Sequence, residues 1–201
     1  DPVAAAATVG RPDFRAAGRA AQRASVTLLR NAEPGSGARL PLRPGLRLYV
    51  PGLPPAAIRP YAVPVDEPGS ADAALLRLRA PHERRPGPFE SFFRAGSLAF
   101  APDEIAGIRA VAWTVPTVVD VYLDRPAVLT EVDAAAHALV VTFGVDDDAL
   151  LEVLFGLDHP RGRLPFDLPR SMAAVQASRP DVPFDTPDPV YRFGHGLSYG
   201  G

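Results

Sequence analysis

The chain has 201 residues, 47% of them hydrophobic, a formal net charge of -2 and no cysteine. Length and apolar share suffice for one globular domain with its own core; the balanced charge gives no footprint for nucleic acid, and the absence of thiols excludes disulfides, thiolate metal sites and a cysteine nucleophile. No apolar run approaches the roughly 18 to 20 residues that cross a bilayer, so no membrane partner is expected, and Asp1-Pro2-Val3-Ala4 lacks the basic and apolar regions of a signal peptide, which leaves the compartment open.

Asp13, after Pro12, reads as the N-cap of an Ala-rich helix over Phe14 to Ala24, with Arg15, Arg19 and Arg23 forming a solvated outer stripe four residues apart. Val26-Thr27-Leu28-Leu29 follows directly. After a loop from Ala32 to Ala38, Leu46 to Val50 reads as a strand ended by Pro51-Gly52. The Pro-rich stretch to Pro60 leaves room for a short helix, and Tyr61 to Val65 carries a proline, as an edge strand can. Ala73 to Leu78 is a stronger strand leading into Arg79 to Glu90, a loop too rich in proline and charge for the core. Pro102-Asp103-Glu104 opens a helix to about Trp113. Thr117 to Leu123 and His137 to Phe143 are nearly continuous apolar runs, buried strands separated by a short helix capped by Thr130 or Asp133. Asp146 caps a helix over Asp147 to Phe155 that Gly156 stops.

This alternation argues for an α/β fold, a three-layer α/β/α sandwich with a mostly parallel sheet of about five or six strands. Residues 1–201 form a single domain, with an irregular Pro-rich tail over 157–201 laid on its surface. In such sheets ligands sit beyond the carboxyl ends of the strands, so the loop after Leu78, with Glu83 and Glu90, is the first candidate site. His82, His137, His159 and His195 show no ligand spacing and imply no metal. Asp120 and Asp124 read as local salt-bridge or turn residues, and Asp146-Asp147-Asp148 as a cap and dipole partner. Gly194 and Gly196 precede no helix and make no phosphate loop, and Ser198 has no adjacent base.

Two phrases carry more information. Gly156-Leu157-Asp158-His159-Pro160-Arg161-Gly162-Arg163-Leu164-Pro165 and Tyr191-Arg192-Phe193-Gly194-His195-Gly196-Leu197-Ser198-Tyr199 together resemble the close of the second domain of family-3 glycoside hydrolases. Ala21, Ser25 to Asn31 and Leu40-Pro41-Leu42 resemble that domain's beginning, so the resemblance covers nearly the whole chain. It implies a retaining, exo-acting β-glycosidase, β-glucosidase-like or β-xylosidase-like, that removes terminal glucose or xylose. In this family a barrel domain carries an aspartate nucleophile, and a loop of the second domain reaches over the barrel mouth, often with the glutamate acid/base.

The implied partners are that N-terminal barrel domain and a glycoside or oligosaccharide substrate; no cofactor is implied, and a homodimer stays open. A retaining enzyme needs a second carboxylate about 5 to 5.5 Å from the nucleophile to protonate the leaving oxygen. Glu83 is the first candidate for it and Glu90 the second. Phe89, Phe92 and Phe93 are candidate walls of the sugar site, and His82 a candidate partner for a sugar hydroxyl. Arg94-Ala95-Gly96 stands where many relatives have His-x-Gly or His-Glu-Gly; a proton donor belonging at that point is missing here. The competing readings are that Glu83 is a solvated loop charge and the chain holds no catalytic carboxylate, or that the chain is a stand-alone, non-catalytic carbohydrate-binding or assembly domain.

Overall fold

The computed structural model describes residues 1–33 and 39–199, so most of the loop expected from Ala32 to Ala38 lies outside the described residues. The strands are β1 (Thr27–Arg30), β2 (Arg47–Tyr49), β3 (Val63–Val65), β4 (Ala73–Arg79), β5 (Thr117–Tyr122) and β6 (Ala138–Thr142). The helices are α1 (Pro2–Thr8), α2 (Pro12–Ser25), α3 (Pro55–Ile58), α4 (Pro102–Thr114), α5 (Thr130–Ala135), α6 (Asp147–Leu154) and α7 (Met172–Ala177). One sheet runs in the order β1-β6-β5-β4-β2-β3, parallel throughout except for β1, which is antiparallel to β6. The proline-bearing strand β3 is at the edge, where a missing N–H costs no ladder bond.

β4, β5 and β6 are apolar on both faces because both faces are covered. Leu75, Val118 and Val140 pack with Ile58 of α3 and with Leu150, Leu151 and Leu154 of α6. Their neighbours Leu76, Val119 and Val141 pack on the other side with Ile105 and Ile108 of α4 and Val132 of α5. A sheet between two helical layers is the three-layer sandwich expected from the alternation of elements. Among the described residues no helix is long and apolar enough to cross a membrane.

Several local expectations are corrected. Helix α2 starts at Pro12 with Arg11 in the capping position, and Asp13 pairs with Arg11 at 2.7 Å inside the first turn. The arginine stripe is not a solvated outer face: Arg19 and Arg23 reach Glu152 of α6 at 2.8 and 2.6 Å, and Arg23 also reaches Asp158 at 3.0 Å. Helix α2 has no fully buried residue; these ion pairs tie it to α6 together with the Asp146 N–H, which donates to the Gln22 side chain at 2.7 Å. A further helix, α1, precedes α2, and the Asp1 side chain caps it by accepting the Val3 N–H at 2.9 Å. Neither Thr130 nor Asp133 caps α5, whose capping position is Leu129. The Thr130 hydroxyl instead donates to the Arg170 carbonyl, and Asp133 accepts the Tyr191 hydroxyl at 2.6 Å. Asp146 does cap α6, accepting the Ala149 N–H at 2.7 Å, and Gly156 follows with φ of 76°. The tail is not wholly irregular, since Ser171 caps the short helix α7.

The two phrases of the tail are one structure. Leu164 N–H donates to the His195 carbonyl at 2.9 Å, Gly194 N–H returns to Leu164 at 2.8 Å, and Arg163 donates to the Gly196 carbonyl. Both phrases then dock on β1. Gly162 N–H donates to Val26, Leu197 N–H to Leu28 at 2.7 Å, and the His195 Nε2–H to the Leu29 carbonyl at 2.8 Å. Buried Leu164 and Leu168 complete the core beneath them. The edge of β1 that β6 leaves unpaired is thereby covered, as a buried or protected sheet edge requires.

Candidate active site

Three parallel strands end together at Arg79, Tyr122 and Thr142, and the chain beyond β4 builds the candidate site there. Residues 82–97 leave the sheet and return as a loose hairpin, with Glu83 N–H donating to the Ala95 carbonyl at 2.9 Å. Glu83 shapes the base of this hairpin: its carboxylate accepts the Ser97 N–H at 3.0 Å and lies across Gly96, whose φ of 82° no ordinary side chain favours. A Cβ at Gly96 would collide with the Glu83 side chain.

Two arginines fasten the returning strand to the turn after β5. Arg125 donates to the Ala95 and Gly96 carbonyls at 2.9 and 3.0 Å, and Arg94 pairs with Asp124 at 2.8 Å. Asp124 therefore does not pair with its neighbour Arg125, as a local salt bridge would. Arg94 also contacts His82 Nε2 at 2.7 Å. Guanidinium can only donate, so that nitrogen accepts and the proton sits on Nδ1.

The tip carries Glu90 in a short 3-10 turn, Glu90–Phe92. Phe89 and Phe93 meet edge to face at 5.3 Å, and Phe89, Phe92 and Phe93 are 71%, 83% and 56% exposed. A cavity of about 680 Å³ under the base is lined by His82, Glu83, Ser97 and Phe100 among others. His82, Glu83, Phe92, Phe93 and Arg94 border a second hollow of about 660 Å³. The loop thus brings His82 and Glu83 together at its base and holds Glu90 with the phenylalanines at its tip.

Beside the loop lies a charged cluster that the hydropathy of β5 concealed. Asp120, 1% exposed, sits opposite Arg77 in the β4–β5 register and accepts its Nε–H at 3.2 Å, while the Thr142 hydroxyl donates to it at 3.0 Å. Arg77 also reaches Asp147 at the start of α6. Burial pushes the Asp120 carboxyl up to about 6, outweighing Arg77 and Thr142. Arg77 loses hydration too, yet Asp120 and Asp147 hold it above its ordinary value. Its one sequence signal is a carboxylate inside a β-branched run, with an arginine in the neighbouring strand. The remaining histidines are engaged in packing: the ring of His137 accepts the Thr117 N–H at 3.2 Å, and His159 meets the Tyr199 ring at 5.8 Å.

The family model for the glycosyl hydrolase family 3 C-terminal domain matches residues 62–199, well over half of the chain. The chain belongs to that family. Probable beta-glucosidase C of Aspergillus flavus is 48% identical over 204 residues, covering 99% of this chain and 31% of that protein. The periplasmic beta-glucosidase/beta-xylosidase of Dickeya chrysanthemi is 40% identical over 200 residues, 95% of this chain and 29% of that protein. The family 3 domain therefore spans about a third of the length of the curated relatives it matches. Among solved structures, the beta-glucosidase of Listeria innocua in complex with glucose superimposes with a TM-score of 0.70 at 18% identity, over 95% of this chain and 34% of that one. D2-BGL of Chaetomella raphigera gives 0.71 at 18% identity, over 94% and 36%. At that identity the superpositions establish the sandwich fold.

Proposed function

We propose that this domain forms the second half of a retaining, exo-acting β-glycosidase that hydrolyses terminal β-linked glucose or xylose. On this reading loop 82–97 closes over a pocket whose aspartate nucleophile belongs to a preceding barrel domain. The observation that carries it is the loop itself: an exposed aromatic tip that holds Glu90, a second carboxylate, Glu83, at the base, and a root clamped by Arg125 and Arg94 to the carboxyl end of the sheet. A solvated surface loop has no use for three exposed phenylalanines, whereas a flap that shuts on a sugar does. Closure would exclude water and strengthen the electrostatics inside.

Glu83 is the residue we assign as general acid/base, with Glu90 second. An acid must be held close to the leaving oxygen by a fixed support, and Glu83 is fixed by the Ser97 N–H at the hairpin base while Glu90 rides on the tip. The test is leaving-group dependence in a polypeptide that joins this domain to a family 3 barrel. Glu83→Gln is expected to lose about 10²-fold or more in kcat/KM on alkyl β-glucosides, whose poor leaving groups need the proton. It should keep far more activity on dinitrophenyl β-glucoside, and azide should restore turnover. The same pattern in Glu90→Gln instead would transfer the role to the tip, and its absence from both would remove the acid/base from this chain.

A further inference from the structure

At the opposite end of the sheet, where β5 and β6 begin, lies a cavity of about 700 Å³. That is within the roughly 300–1,000 Å³ of small-ligand sites. Its wall is Trp113, the only tryptophan of the chain, which stands 92% exposed near the end of α4. Ala112, Ala134 and Ala135 make a low floor beside the indole, and Arg109, Glu33 and His137 stand around it. His137 is held by the Thr117 N–H through Nδ1, so its proton sits on Nε2. Burial and the nearby Arg30 lower its pKa, so the ring is neutral. Arg109 faces Glu131 at 3.1 Å in an ion pair exposed on both sides, a weak contact easily exchanged for another.

We propose that this hollow binds carbohydrate, with the apolar face of a pyranose on the Trp113 indole and its hydroxyls among Arg109, Glu33 and His137. An apolar face with polar edges is the shape an exposed indole accepts, since it offers a flat surface and hides few polar groups. Charge favours no ionic ligand: Asp133 pairs with Arg30 at 3.1 Å, and Glu131 and Glu33 offset Arg109, so neither a phosphate nor a cation finds an unpaired partner. A mixed set of donors and acceptors suits a neutral polyol. The site lies away from loop 82–97 and needs nothing from it, so binding here and hydrolysis there fail separately.

The lone tryptophan makes the test direct. Cellotetraose, xylotetraose and maltotetraose are titrated into the chain while its emission and the heat of mixing are recorded. A saturable emission change with at least one of the three tetrasaccharides is expected, with Kd on the order of 1 mM. Trp113→Ala should abolish the heat without lowering Tm, because the side chain is exposed; Trp113→Tyr should retain part of it, and Arg109→Ala should weaken binding about ten-fold. Unchanged emission, or heat that survives in Trp113→Ala, would overturn the proposal. So would an emission shift that depends on protein concentration without sugar, which would mean that a second copy covers the indole.

Discussion

Replacing Gly162 with alanine is expected to destabilise the domain by about 3 kcal/mol, lowering Tm by about 6–12 °C, and Gly162→Val by more. A Cβ at Gly162 would lie 2.8 Å from the Val26 carbonyl oxygen, and nearer still to the Ser25 carbonyl and the Thr27 hydroxyl. Two of these obstacles are backbone that leads into β1, so a rotamer change does not relieve the clash. The tail would have to lift, and the bonds from Gly162 to Val26 and from Leu197 to Leu28 would stretch with it. Gly18 is the control: it lies inside α2 with nothing within 4 Å of an added Cβ. Gly18→Ala should therefore stabilise by about 0.5–1 kcal/mol, the helix preference of alanine over glycine. Thermal unfolding of the two variants checks both signs. A Gly162→Ala protein as stable as the parent would mean that the interlocked phrases do not hold β1.

The second large effect is expected at the buried charge. Arg77→Ala leaves Asp120 without its cation, and about 3–5 kcal/mol of stability should be lost at pH 8. The loss should shrink towards pH 5, where the carboxyl escapes by taking a proton. The parent domain has its own slope here. Asp120 is raised from 3.8 to about 6 on folding, so the folded state binds the extra proton. The resulting stability is fully present below pH 3.8 and is lost as pH rises through about 6. Asp120→Asn removes that dependence. Between pH 4 and 7 its stability should therefore rise relative to the parent, by up to about 3 kcal/mol. Denaturant midpoints at three pH values measure it; parallel curves for parent and Asp120→Asn would sink the assignment.

These two sites also show where sequence reading succeeds and where it stops. The cores of β4, β5 and β6 were legible because an unbroken apolar run has only one solution, burial on both faces. The cap of α6 was legible because Asp146 acts on an amide three residues away. What escaped depends on register or on distant chain. Asp120 reads as a local salt-bridge or turn residue until β4 is laid beside β5 and Arg77 falls opposite it. The arginines of α2 read as a solvated stripe because Glu152 lies well over a hundred residues away. Helix α1 has a local signal, Asp1 followed by Pro2, but its small apolar residues show no division into an apolar and a polar face, and it buries nothing. Loop 82–97 could be located from its composition, but its pairing of Glu83 with Ala95 and its clamp by Arg125 follow no periodicity.

The most direct measurement is amide hydrogen exchange over residues 82–97 in the domain joined to a family 3 barrel, with and without saturating gluconolactone. If this loop is the flap of a glycosidase pocket, ligand slows exchange across the tip from Phe89 to Phe93 and at Ser97, while the helices of the sandwich stay unchanged. Protection confined to the barrel, with 82–97 exchanging as fast as in the domain alone, would contradict the account.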